Sequence, residues 1–260
     1  ETGYVMDINK VIYVASEAGR IILENGGETY RVEETMSRIC SNFNVYDAES
    51  FVTPTGIMIS VMDKDGHINS LIRRVKNRTV NLEKVNLVNA LSRNIQIQNL
   101  SCNDIELELK NIESNKCYSL KCTIIASAIS AAFFTLLFGG SYRDAFVSFF
   151  IGGLIKFVSN FLSKNKLNDF FVNVVGGALT GILALISTYL SIGQDYNIII
   201  IGSIMLLVPG LAITNAVRDT IGGDLLAALA RGLEAILTAV AIAVGTGIAL
   251  KIWFSLMGGM

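Results

Sequence analysis

Apolar residues first recur at helical spacing, with Ile8, Val11, Ile12, Ala15 and Ile22 on one face and Gly26-Gly27 supplying the flexible backbone that follows a helix end. A second helix is predicted from about Glu28 to Asn42. Its apolar stripe is Val32, Met36, Ile39 and Phe43, while Glu28, Arg31, Glu34 and Arg38 occupy the other side. Glu34 stands four residues before Arg38, the favourable order for a helical ion pair. From Phe51 to Met62 the period changes to two: Ile57, Ile59 and Val61 alternate with Met58, Ser60 and Met62, as in a half-buried strand. Asp63-Lys64-Asp65-Gly66 reads as a turn and His67–Val75 as the partner strand. Asn81 is placed to cap a helix carrying Leu82, Val85, Val88 and Leu91, and a last amphipathic segment carries Ile105, Leu109 and Ile112. Residues 1–118 are therefore predicted to form an α+β domain with one β-hairpin and about four helices.

After Lys121 the pattern changes in kind. Five apolar stretches follow, at about 122–138, 145–162, 170–190, 198–217 and 225–256, each near the roughly 20 residues needed to cross a bilayer. The fold class predicted is an α-helical membrane protein, a five-helix membrane domain over 119–260 behind the soluble α+β domain. Gly177 and Gly181, four apart, allow a second helix backbone to approach closely, and Gly152-Gly153, Gly245 and Gly247 can serve similarly. Pro209 removes a backbone donor in the middle of the fourth stretch and Gly210 adds flexibility, so that helix is expected to be kinked or broken there.

Charge sharpens the division. Of 21 Lys/Arg and 22 Asp/Glu, 14 and 16 lie within residues 1–121, leaving 7 and 6 for the longer remainder. The formal net charge of -1 leaves no basic excess for nucleic acid, and the mean hydropathy of +0.51 disfavours a fully water-soluble enzyme. If the first domain is cytoplasmic, the inside connections hold Lys164, Lys166 and Arg218, with Lys110, Lys116 and Lys121 before the first span, while the outside ones hold only Arg143. Basic residues favour the inside, so the N-terminal domain is expected in the cytoplasm and Met260 outside. Cys40, Cys102, Cys117 and Cys122 have no CxxC spacing and there is one His, so neither a metal site nor a cofactor is expected and reduced thiols are the default. His67 follows a turn glycine with nothing nearby to orient its ring, and reads as a surface position.

Charges in or beside spans are costly and mark function. Thr214, Asn215, Arg218 and Asp219 follow the Pro209-Gly210 break in i,i+4 pairs, and Asp224, Arg231 and Glu234 fall on nearly one face of the next helix. The cluster carries both signs, as a zwitterionic ligand requires. The structural alternative is a loop in which Asp224 caps the last helix and Arg231 pairs with Glu234. Glu28, Glu33 and Glu34 can be read as paired acid/base carboxylates, but the interleaved Arg31 and Arg38 favour a salt-linked, solvated helix face.

Four ordered blocks carry a resemblance: Gly26-Gly27-Glu28-Thr29-Tyr30-Arg31-Val32-Glu33-Glu34-Thr35-Met36-Ser37-Arg38-Ile39; Thr53-Pro54-Thr55-Gly56; Val88-Asn89-Ala90-Leu91-Ser92-Arg93; and Val208-Pro209-Gly210 with Asn215-Ala216-Val217-Arg218-Asp219, Gly223-Asp224, Arg231 and Glu234-Ala235. Nearly the whole chain resembles the threonine/serine exporter (ThrE) family, in particular the YjjP-like larger subunit of its split members. The resemblance implies a bacterial inner-membrane exporter with a cytoplasmic N-terminal domain, moving threonine and serine or, in some members, succinate. It implies Glu28, Tyr30, Arg31, Glu33, Glu34, Arg38 and Pro54 as the motif of the cytoplasmic domain. Because long-form members continue into a second membrane domain, it also implies a small YjjB-like membrane subunit as partner in an oligomer. Without a GxxxxGK[ST] phosphate loop, export driven by protons through Asp219, Asp224 or Glu234 is the expected coupling. Arg218 and Arg231 against three acids lean toward a zwitterion over a dicarboxylate. Two other classes are a membrane-tethered hydrolase working on the Glu28–Arg38 helix and a metabolite-sensing scaffold; five spans with internal charges exceed what anchoring requires.

Overall fold

The computed structural model describes residues 7–45, 47–63, 66–115 and 118–257. The expected turn residues Lys64 and Asp65, the basic Lys116, the Cys117 thiol and the location of Met260 lie outside the described residues. The elements in chain order are α1 (Ile8–Glu24), α2 (Thr29–Asn42), β1 (Ala48–Thr53), β2 (Gly56–Met62), β3 (Ile68–Arg74), α3 (Leu82–Gln98), α4 (Cys102–Ser114), α5 (Leu120–Leu137), α6 (Tyr142–Lys164), α7 (Asp169–Tyr189), α8 (Tyr196–Ile204), α9 (Gly210–Gly222) and α10 (Leu225–Leu256). They form two compact units, one of residues 1–117 with 211–232 and the other of 118–210 with 233–260.

In the first unit most helix starts have local causes. Asp7 and Asn81 accept from the backbone N–H groups of Asn9 and Lys84, and Ser101 with Asp104 forms a reciprocal capping box for α4. The strands form an antiparallel meander of order β1-β2-β3, in register through Val52↔Ile57↔Arg73 and Phe51↔Met58↔Ile72. The sheet thus has three strands where a hairpin was expected. Residues 51–53 belong to β1, and Pro54-Thr55 forms a tight turn at which Pro needs no ladder donor. Period two nevertheless decides burial: Ile57, Ile59 and Val61 enter the core with Val11, Ile22, Val32, Met36, Ile39, Ile105 and Leu109, whereas Met58 and Met62 stay outside. His67 is exposed just ahead of β3, where its backbone N–H donates to Asp63.

In the second unit α5, α6, α7 and α10 are long and apolar enough to cross a membrane. The fourth apolar stretch, expected to be kinked or broken at Pro209-Gly210, is divided into α8 and α9. Pro209 lacks an N–H and Val208 before it is disfavoured in helical conformation, so α8 ends in tightened turns, with Leu207 N–H donating to Ile204 O at 2.8 Å. Close helix approach depends on absent side chains. A Cβ on Gly245 would lie 2.0 Å from Val174 O, and one on Gly177 would lie 2.5 Å from Ile242 O, so only glycine admits α10 this near to α7. Gly247, grouped with these by sequence, faces open space. Tyr189 against Trp253 and Tyr196 against Phe254 gather aromatic rings where α7 ends, α8 begins and α10 ends, as at a membrane interface.

Candidate functional site

The first unit brings three of the four sequence blocks together around α2 and joins to them the part of the fourth from Asn215 to Arg231. Helix α2 begins beyond a sharp turn in which Gly26 has φ +90°, a conformation costly for other residues, and a side chain there would press on Leu211. The turn is held by Thr79 N–H donating to Glu24 O at 2.7 Å and Asn81 N–H to Asn25 O at 3.0 Å. Its carbonyls are thereby presented to polar side chains from far along the chain. Asn215 Nδ2 donates to Gly26 O at 3.2 Å, and an Arg231 guanidinium nitrogen donates to Gly27 O at 2.9 Å.

The first side chain of α2 completes the junction. Thr29 Oγ1 is placed between two carboxylates, 2.9 Å from Asp219 Oδ1 and 3.2 Å from Asp224 Oδ2. Arg231 Nε lies 3.2 Å from Asp219 Oδ2, with side-chain exposures of 7% and 0%. Burial makes this pair consequential, because a charge left alone there has no water to replace its partner. Glu28 pairs with Arg31 at 2.7 Å and with Arg218, whose side chain is 48% exposed. Burial pushes the Glu28 carboxyl up, but hydrogen bonds from Arg31 and its own backbone, with the Arg31 and Arg218 charges, hold it below the usual carboxylate range. Glu33 moves the other way: burial and then the nearby Asp224 charge push it up, against a hydrogen bond from Val52 N–H.

The remaining motif residues support α2. Thr35 Oγ1 contacts Asn89 at 3.2 Å and Arg38 reaches Ser92 Oγ at 3.3 Å while pairing with Glu34. Arg31 extends over the exposed Tyr30 ring and Pro54 is buried in the β1–β2 turn. Of the residues placed by sequence on a transport path, Asn215, Arg218, Asp219, Asp224 and Arg231 meet the Gly26–Thr29 segment. Thr214 is exposed on α9, Pro209 and Gly210 lie at the break, and Glu234 is exposed on the part of α10 belonging to the second unit.

Two features were not anticipated. Thr29 was only one letter of a motif, yet it bridges two acids 190 and 195 residues away. The second apolar stretch is expected from about residue 145, yet Asp144 is already inside α6, buried, and accepts from Ser141 N–H and Oγ and from the backbone N–H groups of Gln194 and Asp195. The Ser-x-x-Asp spacing at 141–144 is the legible half of that arrangement. Such a carboxylate clips the α7–α8 connection to α6 and lets the helix begin at Tyr142.

The family profile described as "Putative threonine/serine exporter" matches residues 13–253. The chain is similar to the "Probable succinate transporter subunit YjjP" of Escherichia coli K12, 25% identical over 91% of this chain and 92% of that one. It is also 25% identical to the "Threonine/serine exporter" of Corynebacterium glutamicum over 93% of this chain, and 22% to the "Probable threonine/serine exporter" of Mycobacterium tuberculosis H37Rv over 93%. It spans about half of each of those two longer proteins, 51% and 46%. No solved structure matches.

Proposed function

The chain belongs to the threonine/serine exporter family, and we propose that it is the larger subunit of a split exporter that moves a small polar metabolite, foremost threonine or serine, out of the bacterial cytoplasm across the inner membrane. The observation that carries this reading is the junction of Thr29, Asp219, Asp224 and Arg231, which sets both charge signs beside the backbone carbonyl of Gly27. A zwitterion offers an ammonium to the acids and a carboxylate to the arginine, so it can exchange with the internal partners one bond at a time. In this role Arg218 or Arg231 meets the substrate carboxylate, Asn215 and Thr214 offer uncharged hydrogen bonds, and Asp219, Asp224 or Glu234 meets the amine or carries the coupling proton. The α2 face bearing Glu28, Arg31 and Glu34 acts as the gating surface, with Tyr30, Glu33, Arg38 and Pro54 holding it in place.

The fold would then work as a cytoplasmic domain over 1–118 and a membrane domain over 119–260. The fourth crossing would be the broken one, made of α8 and the segment to Pro209-Gly210, as in transporters that expose helix ends to a ligand. A small YjjB-like subunit completes the path; the likeness to a chain named as a subunit, over nearly its full length, supports a partner. That same likeness makes succinate the second substrate reading. Counterflow in vesicles containing this chain with and without the small subunit, scanning amino acids and dicarboxylates, tests both. Threonine or serine counterflow that requires both subunits is expected, and flux of neither class overturns the exporter reading. Labelling of Ser70→Cys only from the cytoplasm and of Met257→Cys only from outside is expected for five crossings; labelling both from one side overturns that topology.

A further inference from the structure

The second unit contains a polar cavity of about 220 Å³ that no motif singles out, lined by Ser127 of α5, Lys156 and Ser159 of α6, Asp169 and Asn173 of α7, and closed by Leu206 and Leu207 at the break after α8. We propose that this cavity is a binding site for a small zwitterion carrying one carboxylate and one ammonium, a free α-amino acid. The proposal rests on the exporter reading and adds to it a site apart from the Asp219–Arg231 junction.

Three observations point the same way. First, Lys156 is the one charged residue of α6 between Asp144 and Lys164, about 12 Å along the helix from its end, a depth at which an ammonium is costly unless a cavity or a partner receives it. Second, Lys156 and Asp169 form no ion pair with each other or with any other described residue. Two opposite charges therefore line one cavity without neutralising one another. Third, Ser127, Ser159 and Asn173 add hydroxyl and amide groups to the lining, while Ile155, Val172, Leu206 and Leu207 supply apolar wall for the aliphatic part of a ligand. The volume is below the roughly 300 Å³ at which sites for drug-sized ligands begin, as a ligand of a few heavy atoms requires.

The separation of charges selects the class. A carboxylate at Lys156 and an ammonium at Asp169 leave the occupied cavity neutral, whereas a dicarboxylate would set its second carboxylate against Asp169. The site sits where α6 ends and α7 begins, beside the basic connection of Lys164 and Lys166, and its Leu206-Leu207 wall belongs to the segment that Pro209 breaks. Movement at that break would open or close the cavity.

Binding of L-threonine and of succinate to the full chain, measured by titration calorimetry in phosphatidylcholine nanodiscs, tests the assignment. Lys156→Gln is expected to weaken L-threonine by about tenfold or more, Lys156→Arg to retain it, and Asp169→Asn to weaken L-threonine by about tenfold while leaving succinate unchanged or tighter. A merely structural role for Asp169 would not reverse the preference between the two ligands. Wild-type chain that binds no L-threonine, or equal L-threonine affinity in wild type and both variants, overturns the site. The phosphatidylethanolamine headgroup carries the same two charges; variants that alter retention of that lipid without altering L-threonine binding overturn it as well. Counterflow with the small subunit separates the two readings: threonine flux undiminished by Lys156→Gln and Asp169→Asn removes this cavity and leaves the exporter standing, whereas absence of all flux in the wild type removes the exporter.

Discussion

The two units of this chain sort their residues in opposite ways. In the first, Ile57, Ile59, Val61, Val32 and Met36 are buried and charged groups face outward in pairs, as water demands. In the second, Phe133, Leu137, Phe150 and Phe157 are exposed, while Ala128, Ala131, Thr135, Ser148, Gly176, Gly177 and Thr180 are inside. Thr135 Oγ1 and Ser148 Oγ meet at 2.7 Å between α5 and α6. Lipid chains are as apolar as leucine, so large side chains gain nothing by leaving them, and helices associate instead through small residues and hydrogen bonds. The same residue type therefore has opposite structural meaning in the two units.

The largest effect should come from Arg231 and Asp219, the opposite charges most deeply buried together among the described residues of the first unit. Arg231→Gln leaves Asp219 without its cation and is expected to cost about 3–5 kcal/mol, read by denaturant unfolding of the full chain in micelles. Asp219→Asn should cost a similar amount, and the double variant less than the sum; simple additivity would mean the two groups do not interact. Next, Ile59→Ala should cost about 2–5 kcal/mol, against little for the lipid-facing Phe157→Ala. Equal losses at both positions would erase the contrast between the units. In the second unit the rule reverses, so adding volume is what harms: Gly245→Ala should cost about 1–3 kcal/mol and Gly247→Ala almost nothing.

The smallest effect is expected at the rim of the junction. Arg218→Gln removes an exposed partner of Glu28 and should change stability by about 1 kcal/mol or less. Glu28 has a depressed folded-state pKa, so its contribution is present above the unfolded value of about 4.3 and lost as pH falls through the lower folded value. A Glu28→Gln variant should thus lose part of the acid-induced decrease in stability. An unchanged pH profile would assign that decrease to other carboxylates.

What the sequence made legible was local. The Glu34–Arg38 pair, the Asn81 cap, the alternation at Ile57–Val61 and the interruption at Pro209 each depend on residues within a few positions of one another. The third strand was missed because Pro54-Thr55 separates two short apolar runs that share one period. Pro209-Gly210 marks the division of the fourth stretch, but not where α8 ends and α9 begins, because an average over apolar residues does not register a missing backbone donor. Thr29 meeting Asp219 and Asp224, and Asp144 receiving Gln194 and Asp195, depend on long-range closure that no spacing encodes. The Lys156 cavity escaped for a related reason: its charges sit on separate helices.

Within the second unit the contact between α7 and α10 is reciprocal: a Cβ on Gly177 would meet Ile242 O, three residues before Gly245, and a Cβ on Gly245 would meet Val174 O, three residues before Gly177. An α-helix advances about 100° per residue, so three residues return to within about 60° of the same azimuth. Each helix thus offers its neighbour one missing side chain and one carbonyl along a single line. Angular phase along that line is therefore a quantity the sequence must keep, and a single residue inserted between Ala243 and Val244 would turn one half of the contact from the other by about 100° without altering the composition of either.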